Sequence, residues 1–300
     1  MSARELPRAV KVSAQAKINL RLRVVARETS GYHQIETLFH RISLADTVRV
    51  RRTTGARTLD VLGDIDTAAL GPVEQNLAWR AAKAYADATG MHGGFAIELE
   101  KAIPVGGGLG GGSADAGAVL RAMDAMADVP VGEYELVRLA AALGSDVPFL
   151  ASEHAFALAW GRGERMMALA PPPQRKIRLF LPDFGVNTAE AYGWLSVPDG
   201  PAAHVFHPPQ LERWESLALL AVNDFEPAVA ARHQEIAAVL AAQRADPSVE
   251  LAMLSGSGSS MFAVLRGETD QSVQQPIGDA GIRMMTSHTI HRVEPPTRIE

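Results

Sequence analysis

Apolar and polar residues alternate without interruption through Lys17-Ile18-Asn19-Leu20-Arg21-Leu22-Arg23-Val24. A strand here carries Ile18, Leu20, Leu22 and Val24 on one face and Lys17, Asn19, Arg21 and Arg23 on the other. Taken alone, such a strand leaves its polar face to solvent. Shorter strands are predicted at 42–44, 48–51, 58–62, 95–99, 156–160, 177–181, 249–254 and 261–265. Helical spacing predicts helices over 76–89, 113–127, 133–143, 188–195, 211–222 and 226–244. The first of these carries Leu77, Ala81, Ala84, Tyr85 and Ala88 on one face and stops at Gly90. No repeat or low-complexity tract interrupts the pattern. Ala170-Pro171-Pro172-Pro173-Gln174 reads as a stiff connector, dividing the chain into 1–170 and 171–300.

Between the strand at 95–99 and the helix at 113–127 lies Pro104-Val105-Gly106-Gly107-Gly108-Leu109-Gly110-Gly111-Gly112-Ser113-Ala114-Asp115-Ala116. Glycine gives up more backbone freedom on folding than any other residue, so such a run needs a compensating use. A strand, a glycine loop and a helix N-terminus together supply free amides and the positive end of a helix dipole, which suits a phosphate chain. Gly106-x-Gly108-x-x-Gly111 also fits a dinucleotide fingerprint, but that fold needs a second strand ending in an acid about twenty residues on. Val129-Pro130-Val131-Gly132 and another helix stand there instead. No Gly-Lys-Ser/Thr follows the glycines, so a cationic partner for phosphate must come from elsewhere in the chain.

Composition narrows the classes further. A net charge of -5 argues against a general nucleic-acid binder. The absence of cysteine excludes disulfides and thiolate chemistry and fits a reducing compartment. The charged start, Met1-Ser2-Ala3-Arg4-Glu5-Leu6-Pro7-Arg8, has no apolar core of signal-peptide length, and no apolar run reaches the ~18 residues of a membrane span. The expectation is a soluble cytoplasmic protein, with no nucleic-acid or membrane partner, as a monomer or weak homodimer. Neither Gly-x-Ser-x-Gly nor His-Glu-x-x-His occurs, so a hydrolase elbow and a protein-held catalytic zinc are not expected.

Other positions carry two readings from sequence alone. Asp146, in Gly144-Ser145-Asp146-Val147-Pro148, suits a helix N-cap and equally a carboxylate in a cleft. Tyr32, in Ser30-Gly31-Tyr32-His33, can close a turn onto the core. Ser255-Gly256-Ser257-Gly258-Ser259-Ser260, between two strands, reads as a turn.

Ala16-Lys17-Ile18-Asn19-Leu20 with Ser30-Gly31-Tyr32-His33, the loop at 104–116, and Leu254-Ser255-Gly256-Ser257-Gly258 together resemble the three signature regions of the GHMP small-molecule kinases. The resemblance covers nearly the whole chain, and the Gly-Tyr-His turn at this separation points to a branch acting on a cytidyl substrate in non-mevalonate isoprenoid synthesis. It implies an α+β, two-lobed fold with an N-terminal kinase lobe and a smaller ferredoxin-like lobe. It implies ATP and Mg²⁺, with the phosphates held by Gly106, Gly107, Gly108, Leu109, Gly110, Gly111, Gly112 and Ser113. Lys17 and Asp146 would form the catalytic pair at the acceptor hydroxyl, and Asn19 would position the substrate. Tyr32 and Tyr192 would stack on cytosine, with His33 at its edge, while Asn76 and Lys101 would lie near the adenosine. The 255–259 loop would brace the phosphate loop. This chain departs from the usual pattern at Gln15, where the family has proline, and at Ser30, where it has aspartate. Another GHMP kinase, acting on homoserine, mevalonate or a sugar, is the near alternative. A non-catalytic nucleotide-binding module is the distant one, favoured if Lys17 and Asp146 stand more than ~8 Å apart.

Overall fold

The computed structural model describes residues 9–29, 31–63, 71–195, 211–267 and 281–299. Ser30, the expected irregular loop at 197–210 with His204 and His207, and the chain at 268–280 lie outside the described residues. The spine is a long antiparallel hairpin of β1 (Ala9–Arg27) and β2 (His33–Thr53). The segments expected at 42–44 and 48–51 thus belong to one strand. Beyond this hairpin come β3 (Thr58–Leu62), α1 (Leu77–Thr89), β4 (Gly94–Glu100), α2 (Gly111–Ala125), α3 (Glu133–Ala141) and α4 (Val147–Ala151). A second hairpin, β5 (Phe156–Gly161) and β6 (Arg165–Ala168), follows; sequence spacing did not signal β6.

Past the proline run stand β7 (Lys176–Pro182), α5 (Thr188–Gly193), α6 (Trp214–Leu220), β8 (Val222–Asn223), α7 (Glu226–Ala230), α8 (Gln234–Ala245), β9 (Val249–Leu254), β10 (Met261–Leu265), β11 (Ile282–His288) and β12 (Thr297–Ile299). The helix expected over 226–244 is therefore two helices. His233 takes an extended conformation between them (φ -126°) and its ring stacks on Phe184 at 4.7 Å, a tertiary contact that overrides helix propensity.

Among the described residues the larger sheet runs β12-β1-β2-β4-β3, with β5 attached to the first half of β2, β6 to β5, and β8 parallel to β1. The smaller sheet, β11-β7-β10-β9, is antiparallel. Its period-two pattern serves two cores. Ile177, Leu179, Leu181, Phe262 and Val264 join the main core with Ile18, Leu20 and Leu120, while Phe180, Met261 and Ala263 meet Val229, Ile236 and Leu240. The fold is thus α+β and two-lobed, and the lobes share a packed interior.

The polar face of β1 is not solvated. Lys17, Asn19 and Arg21 are all buried, because the second lobe closes over them. Arg21 donates to the Leu220 carbonyl, Arg23 pairs with Asp224, and the Gly256 amide donates to Asn19 Oδ1 at 3.1 Å. Register shifts in the β1–β2 ladder at 15/17 and 19/21 flank Lys17 and Asn19, where such bulges re-aim side chains.

Candidate active site

A cleft of about 580 Å³ opens between the glycine loop, β1 and the second lobe. Successive carbonyls in the middle of the loop are committed to partners outside it. The Lys17 amide donates to Leu109 O, the Ser260 amide to Gly107 O, and Ser255 Oγ to Gly108 O, at 3.0–3.1 Å. The second small-residue stretch is therefore a brace against the first and not a plain turn. Gly108 (φ +78°) is pressed so closely on it that a Cβ would lie 2.1 Å from Ser255 O. The first helical bond of α2 runs from Ala114 N to Gly110 O, so the amides of Gly111, Gly112 and Ser113 open the helix without intrahelical acceptors. These positions line the cleft, as do Gly106, Gly107, Gly108 and Gly110. Leu109 instead turns into the core. The arrangement suits an oxyanion-rich chain.

Across the cleft, Lys17 Nζ lies 3.2 Å from Asp146 Oδ2 and donates to Asn19 Oδ1 at 2.7 Å. Asn19 in turn donates to Thr37 Oγ1 at 2.8 Å, and Thr37 to Arg21 O, which fixes the amide. Asp146 occupies the N-cap position of α4 but makes no cap bond; its carboxylate turns to Lys17. Two features seat α4 there. Gly117 of α2 lets the helices touch backbone to backbone, since a Cβ would fall 2.4 Å from Leu150 O. At the other end of α4, the buried Arg41 guanidinium donates to Phe149 O, Ser152 O and His154 O, with a longer bond to Gln15 Oε1 at 3.4 Å. Gln15, the departure from proline, thus has a partner. Burial pushes the Arg41 guanidinium down to about 9, the nearby Arg121 adding to the effect.

Lys101 also reaches the cleft wall, but its ammonium is held from behind. It donates to Asp115 Oδ2 at 2.5 Å and to Asp46 Oδ2. Asp46 also accepts from the amides of Ala102 and Ile103, at 2.6 and 2.8 Å. Burial opposes the Lys101 charge, yet the two carboxylates outweigh it and raise its pKa. Asn76 lines the same end of the cleft while its Oδ1 caps α1 by accepting from Ala78 N.

At the far end, Tyr192 lines the cleft and stacks on His33, with ring centroids 4.2 Å apart, while its edge meets Phe225. Burial pushes the Tyr192 phenol up to about 12, with the Asp146 carboxylate adding to the rise. Tyr32 does not line the cleft; it is 58% exposed and lies under the Arg162 guanidinium at 4.2 Å. The structure thus brings Lys17, Asn19, Asp146, the glycine loop, Asn76, Lys101 and Tyr192 to one cleft, with His33 stacked behind Tyr192 and Tyr32 outside the lining. Thr37, Asp46 and Asp115 escaped sequence reasoning, since their partners are remote in the chain.

The profile of the GHMP kinases N-terminal domain matches residues 76–154. A 4-diphosphocytidyl-2-C-methyl-D-erythritol kinase of Desulfitobacterium hafniense is 36% identical over 289 residues, 94% of this chain and 97% of the relative. The chain belongs to the 4-diphosphocytidyl-2-C-methyl-D-erythritol kinase family. A second such kinase, from Desulfotalea psychrophila, is 37% identical over 86% of each chain. The crystal structure of a 4-(cytidine 5'-diphospho)-2C-methyl-D-erythritol kinase superposes with a TM-score of 0.70 at 32% identity, covering 93% of this chain and 98% of that one. A homoserine kinase from Cytophaga hutchinsonii, at 20% identity and a TM-score of 0.68, shares the fold. As a member of this kinase family, the chain is an ATP-dependent small-molecule phosphotransferase.

Proposed function

We propose that this protein phosphorylates the 2-hydroxyl of 4-diphosphocytidyl-2-C-methyl-D-erythritol with ATP. The observation that carries the mechanism is the 3.2 Å Lys17–Asp146 pair facing amides at the start of α2 across one cleft. Asp146 accepts the hydroxyl proton as the alcohol oxygen bonds to the γ-phosphorus and the bond to the β-phosphate oxygen breaks, releasing ADP. Lys17 polarises that hydroxyl and stabilises charge on the transferring group, while Asn19 keeps the ammonium aimed. The amides of 106–113 hold the phosphates, and Asn76 and Lys101 lie toward the nucleoside. Among the described residues no three acidic or histidine side chains gather to hold a metal ion. Mg²⁺ would enter with ATP and would offset the charge of the β- and γ-phosphates.

Tyr192 presents the aromatic surface for cytosine. Tyr32 and His33 close over the base from the 31–33 turn once His33 leaves the Tyr192 face. The division 1–170 and 171–300, a monomeric or weakly dimeric state and a cytoplasmic location complete the reading; no helix among the described residues is long and apolar enough to cross a membrane.

The test is ADP release by the purified protein with MgATP and the cytidyl alcohol, homoserine, mevalonate or galactose in parallel. ADP should appear with the first. Turnover confined to one of the others overturns the substrate, and nucleotide binding without turnover on any of them overturns the transfer.

A further inference from the structure

Lys101, placed toward the nucleoside above, belongs to an Asp46–Lys101–Asp115 cluster whose two acids have no part in the transfer as described, and the cluster lies beside the start of the phosphate cradle. Lys101 Nζ comes within 3.7 Å of where a Cβ on Gly111, the first residue of α2, would stand. Side-chain exposures of 6%, 0% and 5% for Lys101, Asp46 and Asp115 leave little room for water to screen the group. With both carboxylates ionised the cluster carries one surplus negative charge, and an arriving triphosphate adds more beside it.

The two acids are not equivalent. Both Asp46 oxygens have donors, the Lys101 ammonium on Oδ2 and two backbone amides on Oδ1. Among the described residues Asp115 accepts only from the ammonium, on Oδ2, and its buried Oδ1 has no hydrogen-bond partner. The charged groups meeting Asp115 among the described residues are Lys101 at the end of β4 and Asp46 on β2.

We propose that Asp115 takes up a proton from solvent when an anionic nucleotide settles on the start of α2, so that the buried cluster becomes neutral as the cradle fills. The proton goes to Oδ1, the oxygen left free, and Lys101 then offers its positive charge to the phosphate side with one carboxylate instead of two opposing it. Burial already pushes the Asp115 carboxyl up, Lys101 holding it back and Asp46 adding to the rise, and a phosphate seated nearby pushes the same way. Bound anion raises the carboxyl further, so the complex holds the proton to higher pH than the free protein and nucleotide affinity falls as pH rises, by at most about tenfold per pH unit for one proton. This inference rests on the cleft being a nucleotide site, as proposed above.

The experiment is calorimetric titration of the full-length protein with a non-hydrolysable ATP analogue. Magnesium is kept saturating, so that the nucleotide's own phosphates carry no proton, and buffers of low and high ionisation enthalpy are compared between about pH 6.5 and 8.5. The wild type should take up a fraction of a proton per nucleotide, rising and falling across that range, and Asp115→Asn should take up none. Uptake of zero at every pH in the wild type overturns the proposal without any variant. Uptake unchanged in folded Asp115→Asn overturns the assignment to this residue. Failure of the analogue to bind at all instead overturns the nucleotide reading, and this inference with it.

Discussion

Two buried lysines face the same cleft and are held in opposite ways. Lys17 meets a single carboxylate, Asp146, whose side chain is 28% exposed, and a neutral amide. Lys101 is clasped by two carboxylates that water hardly reaches. A charge pair with one open side can exchange its partner for a substrate hydroxyl at small cost, whereas a sealed cluster loses heavily if a member is removed. The lesson is that reaching the cleft does not make a lysine catalytic; the freedom of its partner does. On this account Lys17 works on the acceptor, while Lys101 ties β2, β4 and α2 together at the root of the glycine loop.

Replacing each lysine by methionine separates the two roles most sharply. Lys17→Met should lower kcat by ~10²–10⁴-fold, the scale of lost proton-transfer and charge-stabilising groups, while denaturant unfolding shows only about 1–2 kcal/mol of destabilisation. Lys101→Met should cost more stability than Lys17→Met, up to about 3–5 kcal/mol at high pH, where both buried carboxylates stay ionised, and less at low pH, where Asp115 takes up a proton. Equal stability losses in the two variants would break the comparison.

His40 extends it to a buried base with no carboxylate partner among the described residues. Its ring packs against Phe156 and Trp214, and burial holds its pKa down at about 4, a bond to the Arg41 carbonyl opposing and His291 adding slightly. The unfolded chain protonates near the ordinary value of about 6.5 and the folded chain does not, so stability is complete above that pH and declines as pH falls toward 4. The loss approaches ~3 kcal/mol, and His40→Phe should flatten this slope in equilibrium unfolding. The smallest expected effect is at the cytidyl end: Tyr32→Ala should raise KM for the cytidyl substrate by the equivalent of ~1–3 kcal/mol with kcat little changed. An unchanged KM would mean that Tyr192 alone carries the base.

These regions also differ in how far they could be read in advance. The glycine loop announces itself, because a run of glycines between strand and helix has few other uses, and alternation along β1 correctly separates Ile18 and Leu20 from Lys17 and Asn19. What alternation does not tell is which face meets water. That depends on segments 220–224 and 254–256, some two hundred residues away, closing over the polar side. Asp46 sits in an ordinary alternating strand, and its bond to Lys101 spans 55 positions, so no local signal marks it. Asp146 was legible as a residue of interest, but its local reading as a helix cap is not what its side chain does, since tertiary packing through Gly117 and Arg41 turns it to Lys17.

The most direct test of the division between the two lysines is single-turnover phosphoryl transfer in Asp146→Asn at saturating MgATP and cytidyl alcohol, with nucleotide affinity measured on the same preparation. The account predicts affinity close to wild type and a transfer rate reduced by ~10²–10⁴-fold. A transfer rate near wild type would contradict it, leaving the Lys17–Asp146 pair as a structural contact.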